Sequence, residues 1–202
     1  MAQHHEEFEF EGKRTLTERQ FEQLCTEHKP EGTPFITQHN HYFDTADFQL
    51  KERNAALRIR LKEDEMTLTL KIKMEDGAHE KHDRIPLESW STETPLSALP
   101  DATVLSWLEE EWGISKSSLL HLGTLSTHRA TWNSNDGSYF LDHSEYLGTS
   151  DFELEFEGSS TSHVNLVLKQ LAKTYPFLLQ NDDPSPKVKR FFDRKKSLQE
   201  KM

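Results

Sequence analysis

The sequence predicts an α+β fold in which eight antiparallel strands close into a β-barrel and helices pack on its outer surface. Three observations indicate this fold. Eight stretches alternate apolar and polar residues as strands do, only four have helical periodicity, and short turns join successive strands. Strands joined by short turns pair antiparallel, whereas a doubly wound fold would place a helix between them. About eight strands can enclose a small ligand.

The strand pattern recurs along the whole chain. Turn sequences separate some of the neighbours, among them Lys62-Glu63-Asp64-Glu65 and Asn135-Asp136-Gly137. The predicted strands lie at about 7–14, 35–44, 55–63, 66–74, 79–88, 122–133, 137–147 and 151–158.

Helical periodicity falls at about 16–28, 102–112, 161–174 and 187–199. Thr17 is the predicted N-cap of the first helix, and Gln20 follows three residues later as in a capping box. Residues 89–101 are poor in apolar side chains and are expected to be a connector within one fold. Because no Pro/Gly/Ser linker divides the 202 residues, we expect one domain, residues 1–202.

Composition limits the classes of partner. The chain has 35 acidic and 24 basic side chains, a net charge of −11, which argues against a general nucleic-acid binder. No apolar stretch approaches the roughly 20 residues that span a membrane, and the His- and Glu-rich N-terminus is not a signal peptide. The single Cys25, expected to be half-buried in a helix, excludes an intramolecular disulfide and suits a reducing cytoplasm.

One acidic pattern occurs twice, as Glu7-Phe8-Glu9-Phe10-Glu11-Gly12 and as Glu153-Leu154-Glu155-Phe156-Glu157-Gly158. Successive side chains of a strand point to opposite faces, so each segment places three carboxylates on one face. Carboxylates a few Å apart repel one another unless cations are present. The two rows therefore predict a site for hard divalent metal ions, which prefer oxygen ligands.

Basic residues form equally clean faces on other predicted strands. The polar face of an antiparallel strand usually points to solvent, and for any one of these strands taken alone a solvent-exposed polar face is the expected arrangement. Faces that are almost purely acidic or basic favour an inverted barrel, with charges inside and apolar residues outside under the helices. Such an interior suits a polyphosphate held by basic side chains and bridged by metals to carboxylates. The basic residues concerned are Lys13, Arg58, Arg60, Lys62, Lys71, Lys73, Arg84 and Arg129.

Several of these residues stand in a known order. Glu9-Phe10-Glu11-Gly12-Lys13 matches the ExExK signature of the CYTH domain, the family of triphosphate tunnel metalloenzymes. The resemblance extends from about residue 6 to 195 and is strongest to the YjbK-like branch of Firmicutes such as Bacillus. The other matching segments are Tyr42-Phe43-Asp44-Thr45, Leu57-Arg58-Ile59-Arg60, Thr69-Leu70-Lys71-Ile72-Lys73, Arg129, Asp142, Glu153-Leu154-Glu155 and Lys187-Val188-Lys189-Arg190.

The resemblance implies a barrel that forms a tunnel and hydrolyses triphosphates with Mg²⁺ or Mn²⁺. The implied metal ligands are Glu9, Glu11, Asp142, Glu153 and Glu155. The implied catalytic, phosphate-binding residues are Lys13, Arg58, Arg60, Lys71, Lys73 and Arg129, with Arg84, Lys187 and Lys189 as further substrate-binding candidates. Glu7 and Glu157 extend the two acidic rows. They are expected either to contact the metal ligands from behind or to lie at the rim of the tunnel.

The residue types suit direct attack by water, assisted by two metal ions, without a Ser, Cys or His nucleophile. The thiamine triphosphatases of the family carry a Trp where this chain has Ala56, so inorganic tripolyphosphate is the expected substrate. Nucleoside or thiamine triphosphates are alternatives, and cyclase activity would need an adenine pocket. The main rival functions are a non-catalytic polyphosphate or nucleotide binder and a lipocalin-like carrier. The protein is expected to be a monomer or homodimer.

Histidine offers one further candidate. His39 and His41 share a strand face, as zinc ligands would, but no third His or Cys stands at a recognisable spacing. We therefore expect them to be exposed or hydrogen-bonded.

Overall fold

The computed structural model describes residues 3–99, 102–180 and 184–200. Within them lie eight strands and six α-helices. The strands are β1 (Gln3–Leu16), β2 (Phe35–Asp44), β3 (Ala55–Lys62), β4 (Glu65–Lys73), β5 (Ala78–Ile85), β6 (Leu120–Asn133), β7 (Ser138–Tyr146) and β8 (Thr149–Gly158). The helices are α1 (Glu18–Glu27), α2 (Gln49–Glu52), α3 (Thr103–Trp112), α4 (Thr161–Thr174), α5 (Phe177–Gln180) and α6 (Lys187–Gln199).

The strands form a closed barrel in the hydrogen-bonded order β1-β5-β4-β3-β2-β6-β7-β8, and the pairs β1-β8, β2-β3, β3-β4, β4-β5, β6-β7 and β7-β8 are antiparallel. The predicted fold class is thereby confirmed. Each predicted strand is present, although β1 is longer than expected. The predicted connector, residues 89–101, contains a 3₁₀ turn at Leu96–Ala98, and its residues 100 and 101 lie outside the described residues.

The chain divides into two compact units, which are described in turn. The first unit comprises residues 3–8, 38–99 and 102–124. The second comprises residues 9–37, 125–180 and 184–200.

In the first unit, helix α3 covers the apolar face of β3 and β4. Leu57 and Ile59 of β3 and Leu68 of β4 are fully buried in one cluster with Val104 and Leu108 of α3. The alternate side chains of β3 and β4, which include the basic residues, therefore lie on the face opposite the helix. This is the inverted arrangement that the sequence predicts, with apolar residues turned toward the helix.

The second unit is built the same way. Leu154 and Phe156 of β8 are buried in one cluster with Val164 and Leu168 of α4 and with Leu24 of α1. The predicted capping box begins α1: the Gln20 N–H donates to Thr17 Oγ1, and the Thr17 N–H donates to the Gln20 side chain. The apolar face of this unit is covered too, which leaves the carboxylates of β8 on the other face.

A two-residue turn fixes the register of β7 against β8. Leu147 and Gly148 have φ values of +46° and +71°, as a tight hairpin turn of this length requires. Tyr146 is consequently opposite Thr149, and Asp142 is opposite Glu153. The turn therefore decides which acidic side chains meet across the two strands.

Helix lengths are modest. The longest, α4, has 14 residues, and within the described segments there is no helix both long and apolar enough to cross a bilayer. Cys25 is a free, half-buried cysteine on α1, as expected.

Candidate active site

Strand register brings the charged residues of the second unit onto one face. Arg129 of β6 is directly opposite Asp142 of β7, which is directly opposite Glu153 of β8. Lys13 of β1 is opposite Glu155 of β8. Side chains directly opposite each other on neighbouring strands point to the same face, so these five groups converge.

Three carboxylates form the centre of this face, and we call Asp142, Glu153 and Glu155 the carboxylate cluster. Each offers an oxygen within 4.8 Å of the oxygens of the other two. All three residues are buried, with exposures of 3% or less. Three buried carboxylates at this separation are stable in the ionised form only if cations accompany them.

Arg129 and Lys13 supply two of these cations. Arg129 donates from Nε and Nη2 to the two oxygens of Asp142 at 2.7 and 2.6 Å, and from Nη2 to Glu155 at 2.6 Å. Lys13 Nζ lies 3.0 Å from Glu155 Oε1 and 2.9 Å from Glu11 Oε2. The bidentate Arg129 contact is the geometry in which guanidinium groups bind carboxylates and phosphates most strongly.

Helix α6 supplies two more cations. Lys187 Nζ lies 2.8 Å from Asp142 Oδ2 and 2.6 Å from Glu153 Oε2, and it also contacts Glu155. One turn further along the helix, Arg190 Nη2 donates to Glu153 Oε2 at 2.9 Å. The ammonium of Lys187 thus contacts every member of the carboxylate cluster.

Ion pairing keeps these groups charged. Burial acts to raise the pKa of Glu155, but Lys13, Lys187 and Arg129 together hold that pKa well below its usual value. Burial likewise opposes ionisation of Asp142, and Arg129 and Lys187 lower its pKa. Burial acts to lower the pKa of Lys187, but Asp142, Glu155 and Glu153 raise it above the ordinary value. Asp142, Glu155 and Lys187 are therefore ionised at neutral pH.

The carboxylate cluster fits a hard divalent cation. Its donors are oxygen atoms, which Mg²⁺ and Mn²⁺ prefer. Glu153 Oε1 is buried and has no hydrogen-bond partner within residues 3–99, 102–180 and 184–200. The Lys187 ammonium already occupies the position of a cation among the three carboxylates. Glu9 and Glu11, also predicted as ligands, share a face of β1 with Lys13.

The first unit carries a smaller charged group. Lys71 Nζ lies 2.9 Å from Glu80 Oε1, and Arg58 Nη2 lies 3.7 Å from Glu80 Oε2. Burial acts to raise the pKa of Glu80, but Arg58 and Lys71 lower it below its usual range. Arg60 donates from Nε to Asn40 Oδ1 at 2.9 Å. Three of the predicted phosphate-binding residues therefore share one face, with an acidic residue between two of them.

Three further candidates occupy exposed positions. Lys73 is exposed at the end of β4. Arg84 is 58% exposed and pairs with Glu65 at 2.8 Å, and Lys189 is 55% exposed and pairs with Asp193 at 2.7 Å. Of the two lysines, Lys187 therefore contacts the carboxylate cluster, whereas Lys189 pairs with Asp193.

The residues at the edges of the acidic rows have different neighbours. Glu7 lies beside His82, and Glu157 is opposite Glu11 across β1 and β8.

His41 is buried, contacts Thr124 at 2.9 Å and packs on Trp90. The interpretation of His41 as a hydrogen-bonded side chain is therefore confirmed.

Two residues that were not among the predicted ligands contact the predicted ones. Arg190 follows Lys187 by three residues, which places both on the same side of a helix. Glu80 alternates with His82 and Arg84 on β5, so it shares their face. Helical spacing would have selected Arg190 as the partner of Lys187, and strand alternation would have found Glu80.

The fold and site define a class of β-barrel protein in which a buried cluster of carboxylates is paired with basic side chains. The CYTH domain family matches residues 7–188, and the chain belongs to that family. CYTH tunnel enzymes are generally dependent on divalent metals.

Two relatives share substantial sequence. The chain is 31% identical to YjbK of Bacillus subtilis (strain 168) over 95% of this chain and 97% of YjbK. YjbK is described as a proposed triphosphatase. It is 37% identical to a protein of Bacillus halodurans whose crystal structure is described as that of a proposed adenylate cyclase. That structure has a TM-score of 0.83 and covers 93% of this chain and 98% of its own.

A more distant structure shares the fold. HpAC1 of Hippeastrum, a proposed adenylyl cyclase described as having a dominant triphosphatase activity, is 22% identical, with a TM-score of 0.75. It covers 92% of this chain and 95% of its own.

Proposed function

We propose that this protein hydrolyses a triphosphate with the help of Mg²⁺ or Mn²⁺, and that inorganic tripolyphosphate is its substrate. The observation that carries the proposal is the buried carboxylate cluster, which is paired with the half-buried Arg129, Lys13 and Lys187. A plain anion-binding protein has no need of three buried carboxylates. Membership of the CYTH family and the resemblance to YjbK support a triphosphatase more broadly.

Asp142, Glu153 and Glu155 would hold the metal, with Glu9 and Glu11 as the further ligands that the family resemblance implies. When bound, the ions supply positive charge to phosphoryl oxygens and increase the acidity of water. Hydrolysis by direct attack of water then requires no covalent intermediate on the protein. The chain's own contribution is to hold Asp142 and Glu155 in the ionised state beside Arg129 and Lys187.

The basic residues would bind the phosphate oxygens. Arg129 presents a fork of donors that suits a phosphate as well as a carboxylate. In the first unit, Arg58, Arg60 and Lys71 present guanidinium and ammonium groups on one face. Positive groups already in position stabilise the negative charge of the transferring phosphoryl group without reorganisation.

The substrate preference rests on one small side chain. Ala56 shares the charged face of β3 with Arg58 and stands opposite Lys71. An alanine methyl cannot stack on an aromatic ring, so the site lacks at this position the platform that a thiamine group would use. Tripolyphosphate needs no such platform.

The context of the activity follows from the sequence. We propose that residues 1–202 act as one CYTH domain, in the cytoplasm, as a monomer or homodimer and without a nucleic-acid or membrane partner. The net charge of −11 and the single cysteine support this.

A substrate panel tests the proposal. Purified protein is incubated with tripolyphosphate, ATP, GTP or thiamine triphosphate, each with Mg²⁺, Mn²⁺ or a chelator, and phosphate release is measured. We expect release from tripolyphosphate at the highest rate and only with metal. Absence of metal-dependent release from every compound would refute the triphosphatase and leave the non-catalytic binder or the cyclase considered next.

Adenylate cyclase activity is the second candidate, favoured by the description of the Bacillus halodurans relative. Chromatography of the products of the ATP reaction separates the two activities. Release of phosphate and ADP supports the triphosphatase, whereas formation of cyclic AMP and pyrophosphate supports the cyclase.

A further inference from the structure

A second group of potential metal ligands lies in the first unit, on β1 and β5. His5, Glu7 and His82 each offer one donor atom, and these atoms lie within 4.8 Å of one another. The donors are two imidazole nitrogens and one carboxylate, whereas the carboxylate cluster offers oxygen alone. The hydrolysis proposed above makes no use of the two histidines.

His82 is the fixed member of this group. It is 8% exposed, and its Nδ1 lies 2.9 Å from the hydroxyl of the buried Thr69. Its Nε2 is buried and has no hydrogen-bond partner in the part of the chain that the structure describes. A buried ring nitrogen without a partner is costly and requires an explanation.

The carboxylates near Nε2 do not provide a hydrogen bond, yet they are close. Glu7 Oε1 is 3.2 Å and Glu80 Oε2 is 3.5 Å from this nitrogen. A tetrahedral zinc ion with bonds of about 2.0–2.1 Å holds its donor atoms about 3.3 Å apart. The 3.2 Å between His82 Nε2 and Glu7 Oε1 is therefore close to the separation of two donors on one metal ion.

The surroundings of His82 also fit a ligand role. Metal-bound histidines usually donate their second ring N–H to an oxygen, which fixes the ring and leaves the other nitrogen free to bind. Thr69 Oγ1 stands where that oxygen is needed. The ring of His5 is stacked on the ring of His82 at a centroid distance of 4.5 Å, so His5 is held beside the site, while its exposure leaves it free to turn.

We propose that His5, Glu7 and His82 form a binding site for Zn²⁺ or a similar divalent transition metal, with Thr69 as a positioning residue. Imidazole and carboxylate donors favour zinc over Mg²⁺, so this site is distinct in its metal preference from the carboxylate cluster. Because His5 and Glu7 belong to β1 and His82 to β5, a bound ion ties these two strands together.

The experiment uses the untagged full-length protein, stripped of metal and kept in excess Mg²⁺ so that oxygen-ligand sites are occupied. Zn²⁺ is titrated by calorimetry, and Co²⁺ is titrated while the visible absorption is followed. We expect one equivalent of Zn²⁺ to bind, strong Co²⁺ bands typical of tetrahedral coordination, and a Zn²⁺-dependent rise in melting temperature.

His5→Ala and His82→Ala should each weaken Zn²⁺ binding at least tenfold and abolish the Co²⁺ bands. His128→Ala is the matched control, because His128 lies 3.2 Å from Glu145 in an exposed pair outside the site. Glu155→Gln should leave the Co²⁺ bands unchanged, which separates this site from the carboxylate cluster.

Two results would overturn the proposal: no binding of Zn²⁺ by the wild type, or equal affinity in the wild type and His5→Ala. His5 is exposed, so its variant decides the question even if His82→Ala fails to fold. Either result leaves the proposed triphosphatase untouched.

Discussion

Glu155 is the residue on which the charges of the second unit converge. Its two oxygens contact Lys13, Arg129 and Lys187, and the residue is 3% exposed. Removing one charge from such a network leaves several half-buried cations without compensation, which costs more than the loss of a surface ion pair. Glu155 is therefore the most informative single position in the proposed site.

Replacing Glu155 by Gln is expected to lower phosphate release at least a hundredfold and the free energy of unfolding by about 3 kcal/mol. The reason is that the cluster loses a proposed metal ligand and three cations lose a partner. Phosphate release and urea unfolding measure the two effects. Glu157→Gln, at the edge of the same acidic row, is the control and should change both only slightly. Near-normal turnover in Glu155→Gln would remove the metal-ligand role.

The identity of most charged residues was predictable, but their pairing was not. Strand alternation placed Glu155 on an acidic face and Arg129 in a predicted strand, because period-two geometry depends on sequence alone, whereas Asp142 was implied only by the family resemblance. The contact between Lys187 and the cluster depends on where α6 packs, which local sequence does not encode. Helical spacing does indicate that Arg190, rather than Lys189, accompanies Lys187.

At the scale of elements, α6 acts as a source of internal cations for the carboxylate cluster. Lys187 contacts all three carboxylates, whereas Lys189, two residues later, is exposed and pairs only weakly with Asp193. A metal ion entering the cluster competes with the Lys187 ammonium for the same oxygens. We therefore expect either the Lys187 ammonium or a metal ion, but not both, to occupy the centre of the carboxylate cluster.

Lys187→Met should raise the affinity for Mn²⁺ about tenfold, a difference of about 1.4 kcal/mol, because the ion no longer competes with an ammonium group. The same change should lower the melting temperature of the metal-free protein, since the carboxylates lose a countercharge. Titration of Mn²⁺ by electron paramagnetic resonance and thermal unfolding measure these effects. Lys189→Met, on the same helix, should leave both unchanged. Equal behaviour of the two variants would contradict the competition.

The contact of α4 with β1 depends on a glycine. A Cβ atom at Gly12 would lie 2.6 Å from both Leu168 Cδ1 and Val164 Cγ1, which is too close for either. Gly12→Ala is therefore expected to destabilise the protein by about 1–3 kcal/mol through overpacking. Urea unfolding measures the loss, and adding Val164→Ala should recover part of it. A single variant as stable as the wild type would show that α4 shifts without cost.

Elements with a long repeating pattern were predicted well. The observed α4 and α6 have the predicted bounds, and each of the eight strands was expected close to its position. The short helices α2 and α5 were missed, because four residues are too few to show a helical period. The extension of β1 to Gln3 was missed because its His and Glu residues do not alternate with apolar ones.

At the scale of the whole molecule, the barrel puts strands side by side that are far apart in the chain. The β1-β5 and β2-β6 neighbours are not consecutive, so the strand order depends on closure rather than on hairpin turns. The sequence alone predicts an inverted barrel, since its charged faces are too pure for solvated surfaces. It does not predict the order in which the strands close, and the group formed by His5, Glu7 and His82 depends on that order.

The buried ion pairs predict how stability depends on pH. The pKa values of Asp142 and Glu155 are lowered in the folded protein, with burial opposed by the neighbouring cations. The stabilisation that these two carboxylates provide is therefore complete above their pKa values in the unfolded chain, about 4. It is lost as the pH falls through their lower pKa values in the folded protein. The pKa values of Lys13 and Lys187 are raised, burial being outweighed by carboxylates, so their stabilisation is complete below about 10.4 and is lost at higher pH.

Urea unfolding of the metal-free protein is measured between about pH 2.5 and 11, a range that brackets these pKa values. The free energy of unfolding should show a plateau at intermediate pH and a steep decline in acid. The decline begins near pH 4–5, where the unfolded chain starts to bind protons that the folded network excludes. Glu155→Gln serves as the matched variant, because it removes a buried carboxylate whose pKa is depressed in the folded protein. Its stability should start lower and fall less steeply with acid than that of the wild type. Parallel curves for the two proteins would mean that Glu155 is not held ionised by Lys13, Arg129 and Lys187, and that the carboxylate cluster derives its stability from packing instead.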